Sequence, residues 1–189
     1  ARFARLDSLL EEMLAERGWP DYSTLNFTDP PQHTRYRRIA DQIFNARRIA
    51  ETGPRIDALC HEVIDSFIDK GECELVSALG LDGAKRETFK KWGDAIMEPT
   101  ARILTVDELR RNAETIIEMQ HFIADRLEER RQAPRNDLIS ALVQAKGDDG
   151  EGLSMVELQS FMRQFLSGTY ESLVTLISHS LWLLLRFPD

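Results

Sequence analysis

Cysteine is scarce. The 189 residues hold two, Cys60 and Cys73, too few for a disulfide framework and without the C-x-x-C or Cys/His spacing of a zinc module. Base is short as well: 24 Lys+Arg stand against 32 Asp+Glu, a formal net charge of −8. That balance argues against nucleic acid, whose phosphates demand a broad basic face. Long apolar runs are missing, since the longest, Leu181-Trp182-Leu183-Leu184-Leu185, is far short of the roughly 20 residues of a bilayer span. Arg2, Arg5, Glu11 and Glu12 interrupt the N-terminal stretch, so it does not read as a signal peptide, and the expected compartment is cytoplasmic. Repeats, low-complexity tracts and interdomain linkers are also lacking. With 42 % hydrophobic and 30 % charged residues, the expectation is one domain over 1–189 with a sizeable core. The chain opens on Ala1 and closes on Arg186-Phe187-Pro188-Asp189, and both ends read as cut.

What is present is helical period. Leu59, Cys60, Val63, Ile64 and Phe67 follow Ile56 at the i, i+3, i+4, i+7 spacing of a helix face. Ala113, Ile116, Ile117, Ile123, Ala124 and Leu127 form a second stripe, and Leu173, Leu176, Ile177, Leu181 and Leu184 a third. Cys60, on the first stripe, is expected in a small core. Cys73-Glu74-Leu75-Val76 is the one strand candidate. Asp29-Pro30-Pro31-Gln32 reads as a helix start capped by the Asp29 carboxylate, and Ser154-Met155-Val156-Glu157 as a capping box with Leu153 and Leu158 as a hydrophobic staple. Turns are expected at Gly18-Trp19-Pro20, between Gly80 and Gly83, and over Gly147 to Gly152.

Two constellations carry chemistry. In His33-Thr34-Arg35-Tyr36-Arg37-Arg38, His33 and Arg37 are four apart, so one helix face presents an imidazole and a guanidinium to one anionic group. By itself such a pair also fits a solvated basic face. In Ser167-Gly168-Thr169-Tyr170-Glu171-Ser172, a glycine and several hydroxyls suit a local kink or widened groove, with the acid Glu171 beside it. The alternative is a small-residue helix crossing with Glu171 in solvent.

Taken together and in this order, these segments resemble the cytochrome P450 family. Asp29 to Arg38 is similar to the family's C-helix entry, D-P-P-x-H-x-x-x-R. Asn136 to Val143, a Gly/Asp turn, and Leu153 to Leu158 resemble the approach to its long I helix, and Leu181 to Asp189 its L-L-R-x-P-E ending. The resemblance runs from about Leu25 to the end. It implies a mainly α, P450-like helical fold, from the N-terminal part to the I helix, and a haem-thiolate monooxygenase. Such an enzyme inserts one atom of O2 into a small hydrophobic organic substrate, with NAD(P)H electrons arriving through a redox partner.

By that resemblance His33 and Arg37 bind the propionates of haem b, Gly168 and Thr169 shape the oxygen groove, and Glu171 and Ser172 deliver protons. Gly168-Thr169-Tyr170-Glu171-Ser172 departs from the family's A/G-G-x-D/E-T pattern at Thr169 and Ser172. The family's axial Cys loop and its E-x-x-R helix are not found in the expected order. Glu108-Leu109-Arg110-Arg111 and Glu128-Glu129-Arg130-Arg131 lie upstream of the oxygen motif and read as i, i+3 surface pairs. Relative to the family, the chain also looks shortened between Trp19 and Leu25 and near Gly80. Removal of a packed helix there exposes its neighbours' apolar faces. Arg35, Arg38, Arg47 and Arg48 form the basic region that in the family meets a ferredoxin-type partner. Met97, Ile103, Met119 and Phe122 fall where the family caps its substrate cavity. The alternatives are an all-helical binding or interaction domain without catalysis, and a degenerate P450 fragment unable to hold haem.

Overall fold

A computed structural model describes residues 2–66, 68–70 and 83–187. Seven helices run through them: α1 (Arg2–Arg17), α2 (Gln32–Ile43), α3 (Ala46–Asp65), α4 (Gly83–Ala101), α5 (Val106–Gln132), α6 (Leu138–Gln144) and α7 (Met155–Arg186). Single 3-10 turns sit at Leu25–Phe27 and Ile68–Lys70. The mainly helical expectation therefore holds. The strand candidate at Cys73 to Val76, and the expected shortening near Gly80, lie outside the described residues.

The centre is α5, with α1, α4, α6 and α7 packed around it. Its stripe is buried as the spacing predicts: Ala113, Ile116, Ile117, Ile123 and Leu127 are all at most 5 % exposed. Leu14 from α1, Trp92 from α4, Leu142 from α6 and Phe161 from α7 close the same core. Thr105 and Glu108 cap α5 reciprocally, a box absent from the expectations above. The box at Ser154 and Glu157 forms as expected, with Leu153 and Leu158 buried beside it.

Proline marks two helices differently. Pro99 lies inside α4, and a proline there leaves the carbonyl four residues earlier, Ala95, without its helical donor. Asn112 of α5 fills that role: its Nδ2 donates to Ala95 O at 2.7 Å inside the core. In α3 the carbonyl freed by Pro54 belongs to Ala50, which is exposed to water.

Several expectations need correction. Asp29 does not cap α2 through its carboxylate; Pro31 occupies the N-cap with no side-chain bond, and His33 N–H donates to the Asp29 backbone carbonyl at 3.1 Å. Cys60 is exposed, because α3 as a whole buries no residue, with Ile56 57 % and Leu59 54 % exposed. On the stripe at the end of α7, Leu173, Leu176, Leu181 and Leu184 likewise face solvent, while Ile177 is half-buried. Gly83 belongs to α4 rather than to a turn. Glu128 and Arg131 do pair at i, i+3, but Glu108 turns instead to Arg102 at 2.9 Å.

Candidate functional site

Helix α2 has one buried face and two flanks. Tyr36, Ile39, Ala40 and Ile43 point inward. At about 100° per residue, Arg35, Arg38 and Gln42 share one flank, while His33 and Arg37 share the other with Phe44 just beyond the helix end. The sequence motif thus separates into two functions.

The first flank holds a turn. The chain from Lys146 to Gly152 closes through an isolated bridge between those two residues, with Gly150 at φ +77°, a conformation that suits glycine. Arg38 pairs with Asp148, Arg35 Nε donates to Asp149 at 3.3 Å and Nη2 to the Gly152 carbonyl at 3.1 Å, and Gln42 reaches the Lys146 carbonyl at 3.0 Å. Arg47 pairs with Glu51 on α3. Three of the four cations expected to steer a redox partner are therefore engaged by neighbouring acids, Arg35 and Arg38 because the acidic turn folds back against them and Arg47 through its own helix.

The inner face joins α2 to α7 through Glu157. One carboxylate oxygen accepts from Arg35 Nη1 at 2.9 Å and from Tyr36 Oη at 2.8 Å; the other accepts from Ser154 N–H at 2.7 Å and Ser154 Oγ at 2.9 Å. Burial, the largest influence, pushes the Glu157 carboxyl up, but these donors and the Arg35 charge outweigh it and hold it below the ordinary range. Burial, a hydrogen bond with Tyr22 and the Glu157 carboxylate drive the Tyr36 phenol well above its usual value. Sequence reading placed Glu157 only as a cap. Its links to Arg35 and Tyr36 span more than 120 positions, and no local spacing signals them.

Beyond Glu157, Tyr36 packs on Phe161 and Phe44 on Phe165, both edge-on with centroids 5.8 and 5.1 Å apart. Phe161, Phe165, Gly168 and Ser172 lie along one face of α7 by helical spacing. That face is buried at Phe161 and emerges at Gly168, Thr169 and Ser172, all exposed. A Cβ placed on Gly168 meets nothing within 4 Å. Past it, Ser172, Thr175, Leu176 and His179 line an open depression. The helix is continuous through 168–172. The Glu171 side chain lies outside the described residues.

His33 is half-buried; Arg37 is exposed and pairs with Asp41 at 3.1 Å. Ser172 lies about 10 Å along α7 from Phe165, which meets Phe44 beside the flank of these two. Of the residues aligned with a substrate cap, Met119 is buried in the core, whereas Ile103 and Phe122 are exposed at 72 % and 42 %. Among the described residues, no cluster of His, Cys, Asp and Glu has metal-binding geometry, and no helix is long and apolar enough to cross a membrane.

No family model matches the chain. Individual proteins do. The 6-deoxyerythronolide B hydroxylase of Saccharopolyspora erythraea is 31 % identical over 88 % of this chain and 43 % of its own length. The mycinamicin IV hydroxylase/epoxidase of Micromonospora griseorubida is 33 % identical over 85 % of this chain and 43 % of its own. The chain thus spans less than half the length of these relatives. Among solved structures, a myxobacterial cytochrome P450 in complex with myristic acid superposes with a TM-score of 0.77 at 29 % identity, over 89 % of this chain and 44 % of that one. The mixed-function P450 MycG covers 98 % of this chain at a TM-score of 0.67 and 28 % identity, with 52 % of its own length matched. Kinship in sequence and superposition of the helices thus agree with the motifs around His33 and Gly168: the chain is homologous to bacterial cytochromes P450 over part of their length.

Proposed function

We propose that this chain provides the propionate-binding edge and the oxygen groove of a haem-thiolate monooxygenase acting on a small hydrophobic organic substrate. The observation that carries the reading is the α2–α7 junction: the Phe44–Phe165 contact sets the His33/Arg37 flank beside the point where the α7 face opens at Gly168. When bound through a cysteine thiolate, haem supplies the O2 chemistry, putting one oxygen atom into the substrate and the other into water.

The residues fit the rim of that group. His33 and Arg37 are charge-assisted donors four apart, suited to carboxylates. Gly168 leaves the α7 surface clear, and Thr169 adds a hydroxyl at its edge. Ser172 Oγ both accepts and donates, so it can hold a proton in transit, with Glu171 as the acid that relays protons inward. Cys60, on the exposed α3, does not fit as an axial ligand, and Cys73 lies outside the described residues. Electrons come from NAD(P)H through a ferredoxin-type partner, and Arg48 is the member of the basic group with no ion pair to a neighbouring acid described above.

Haemin and its dimethyl ester, titrated into the chain and followed by the Soret band, test the assignment. Haemin should bind, with His33→Ala and Arg37→Ala each weakening it about tenfold or more, while the ester binds the unaltered chain as weakly as haemin binds the double variant. Equal affinities across both porphyrins and all variants refute the propionate roles. A second reading, a P450 scaffold that does not hold haem, draws on the apolar faces that α3 and the end of α7 leave in solvent. Absence of binding by every form selects it.

A further inference from the structure

The stretch from Gly18 to Thr24 crosses α5 and α7 without regular structure, fastened by side chains. Gln120 Oε1 accepts from Trp19 N–H at 2.9 Å and its Nε2 donates to the Trp19 carbonyl at 2.8 Å. Ser160 Oγ donates to the Tyr22 carbonyl at 2.6 Å, and Thr24 Oγ1 lies 2.8 Å from the same hydroxyl. Arg163 grips Asp21 through both carboxylate oxygens, at 2.9 and 3.1 Å. Beneath the strap remains a narrow, partly open cavity of about 10 Å³, lined by Asp21, Tyr22, Gln120, Gln159, Ser160 and Arg163 among others. Gln159 is 4 % exposed; its Nε2 donates to the Gln120 carbonyl at 2.8 Å, while its Oε1 is buried with no protein partner.

We propose that this cavity is a binding site for one ordered water molecule, which donates a hydrogen bond to Gln159 Oε1 and bridges the strap to α5 and α7. The volume corresponds to about one water-sized sphere. Charge narrows the choice further. Arg163 already neutralises Asp21, so nothing in the lining compensates a buried cation, and an anion would meet the lone pairs of Gln159 Oε1. A neutral molecule of one heavy atom that both donates and accepts is what the lining satisfies, and a bridging water of this kind replaces a direct bond at little loss. Gln159 thereby becomes the inner anchor of the strap.

A high-resolution crystal structure of the chain should show a density peak within hydrogen-bonding distance of Gln159 Oε1. Water-selective ROESY spectra in solution should show a long-lived cross-peak to the Gln159 amide protons. Gln159→Met, close in volume but without the amide, should lose the density peak while the Gln120 to Trp19 bonds persist. An empty cavity with no cross-peak in the unaltered chain overturns the proposal, as does a peak that stays unchanged in the Met variant. Should that variant not fold, the two measurements on the unaltered chain decide alone.

Discussion

Helices α3 and α5 carry apolar stripes of the same spacing and meet opposite fates. In α5 nine residues are buried, and even the polar Asn112 and Gln120 are enclosed because each bonds a backbone group of another segment. In α3 no residue is buried, and Ile49, Ile56, Leu59 and Ile64 are each 46 to 61 % exposed. Amphipathic period announces which face of a helix seeks cover, but not whether cover arrives. Cover for α5 comes from four other helices.

The contrast is broken most strongly in the core. Leu127→Ala, at a position with no exposure, should lower unfolding free energy by about 2–5 kcal/mol in urea titrations, whereas Leu59→Ala on α3 should change it by less than about 0.5 kcal/mol. Equal costs at the two sites would show that α3 is covered in solution. Glu157→Gln comes next. It weakens charge-assisted bonds from Arg35 and Tyr36, and a loss of about 1–3 kcal/mol is expected, read by the same titration.

Acid sharpens the same point. Glu157 is held below the carboxylate range, Glu108 falls to about 2 under the Arg102 and Thr105 hydrogen bonds, and Asp137 falls to about 2 where the Arg130 and Ser140 bonds overcome burial. Each binds protons more readily unfolded, so its contribution is complete above the ordinary carboxylate range and declines as pH falls toward about 2. Glu157→Gln should flatten that decline in pH-dependent melts. Ser154→Ala, which removes the α7 cap, should cost about 1 kcal/mol. Smallest is Leu59→Glu: melting should hold within a degree or two, while light scattering at high concentration falls, because an exposed apolar patch has been interrupted.

Much of this was legible beforehand, and the failures share a cause. The α5 stripe and the Ser154–Glu157 box were readable because the interacting residues lie within a turn or two of each other. Cys60 was misplaced because a stripe carries no record of its partner. Asp29 was misassigned because its backbone carbonyl, present in every residue type, accepts the bond credited to its carboxylate. The Arg35 and Arg38 pairs with Asp149 and Asp148 arise from a contact across more than a hundred positions, so a cluster basic in sequence is largely neutralised in space. His33, Arg37, Gly168 and Ser172 are assigned by family resemblance; the Glu157 junction that sets α2 against α7 is visible only in three dimensions.

Asn112 carries one more consequence. Its amide stands in for the N–H that Pro99 lacks, so the Ala95 carbonyl, one turn before the proline, is satisfied from another helix. That acceptor keeps its partner only while α4 lies against α5, so parting the two helices strands a buried carbonyl as well as exposing apolar surface.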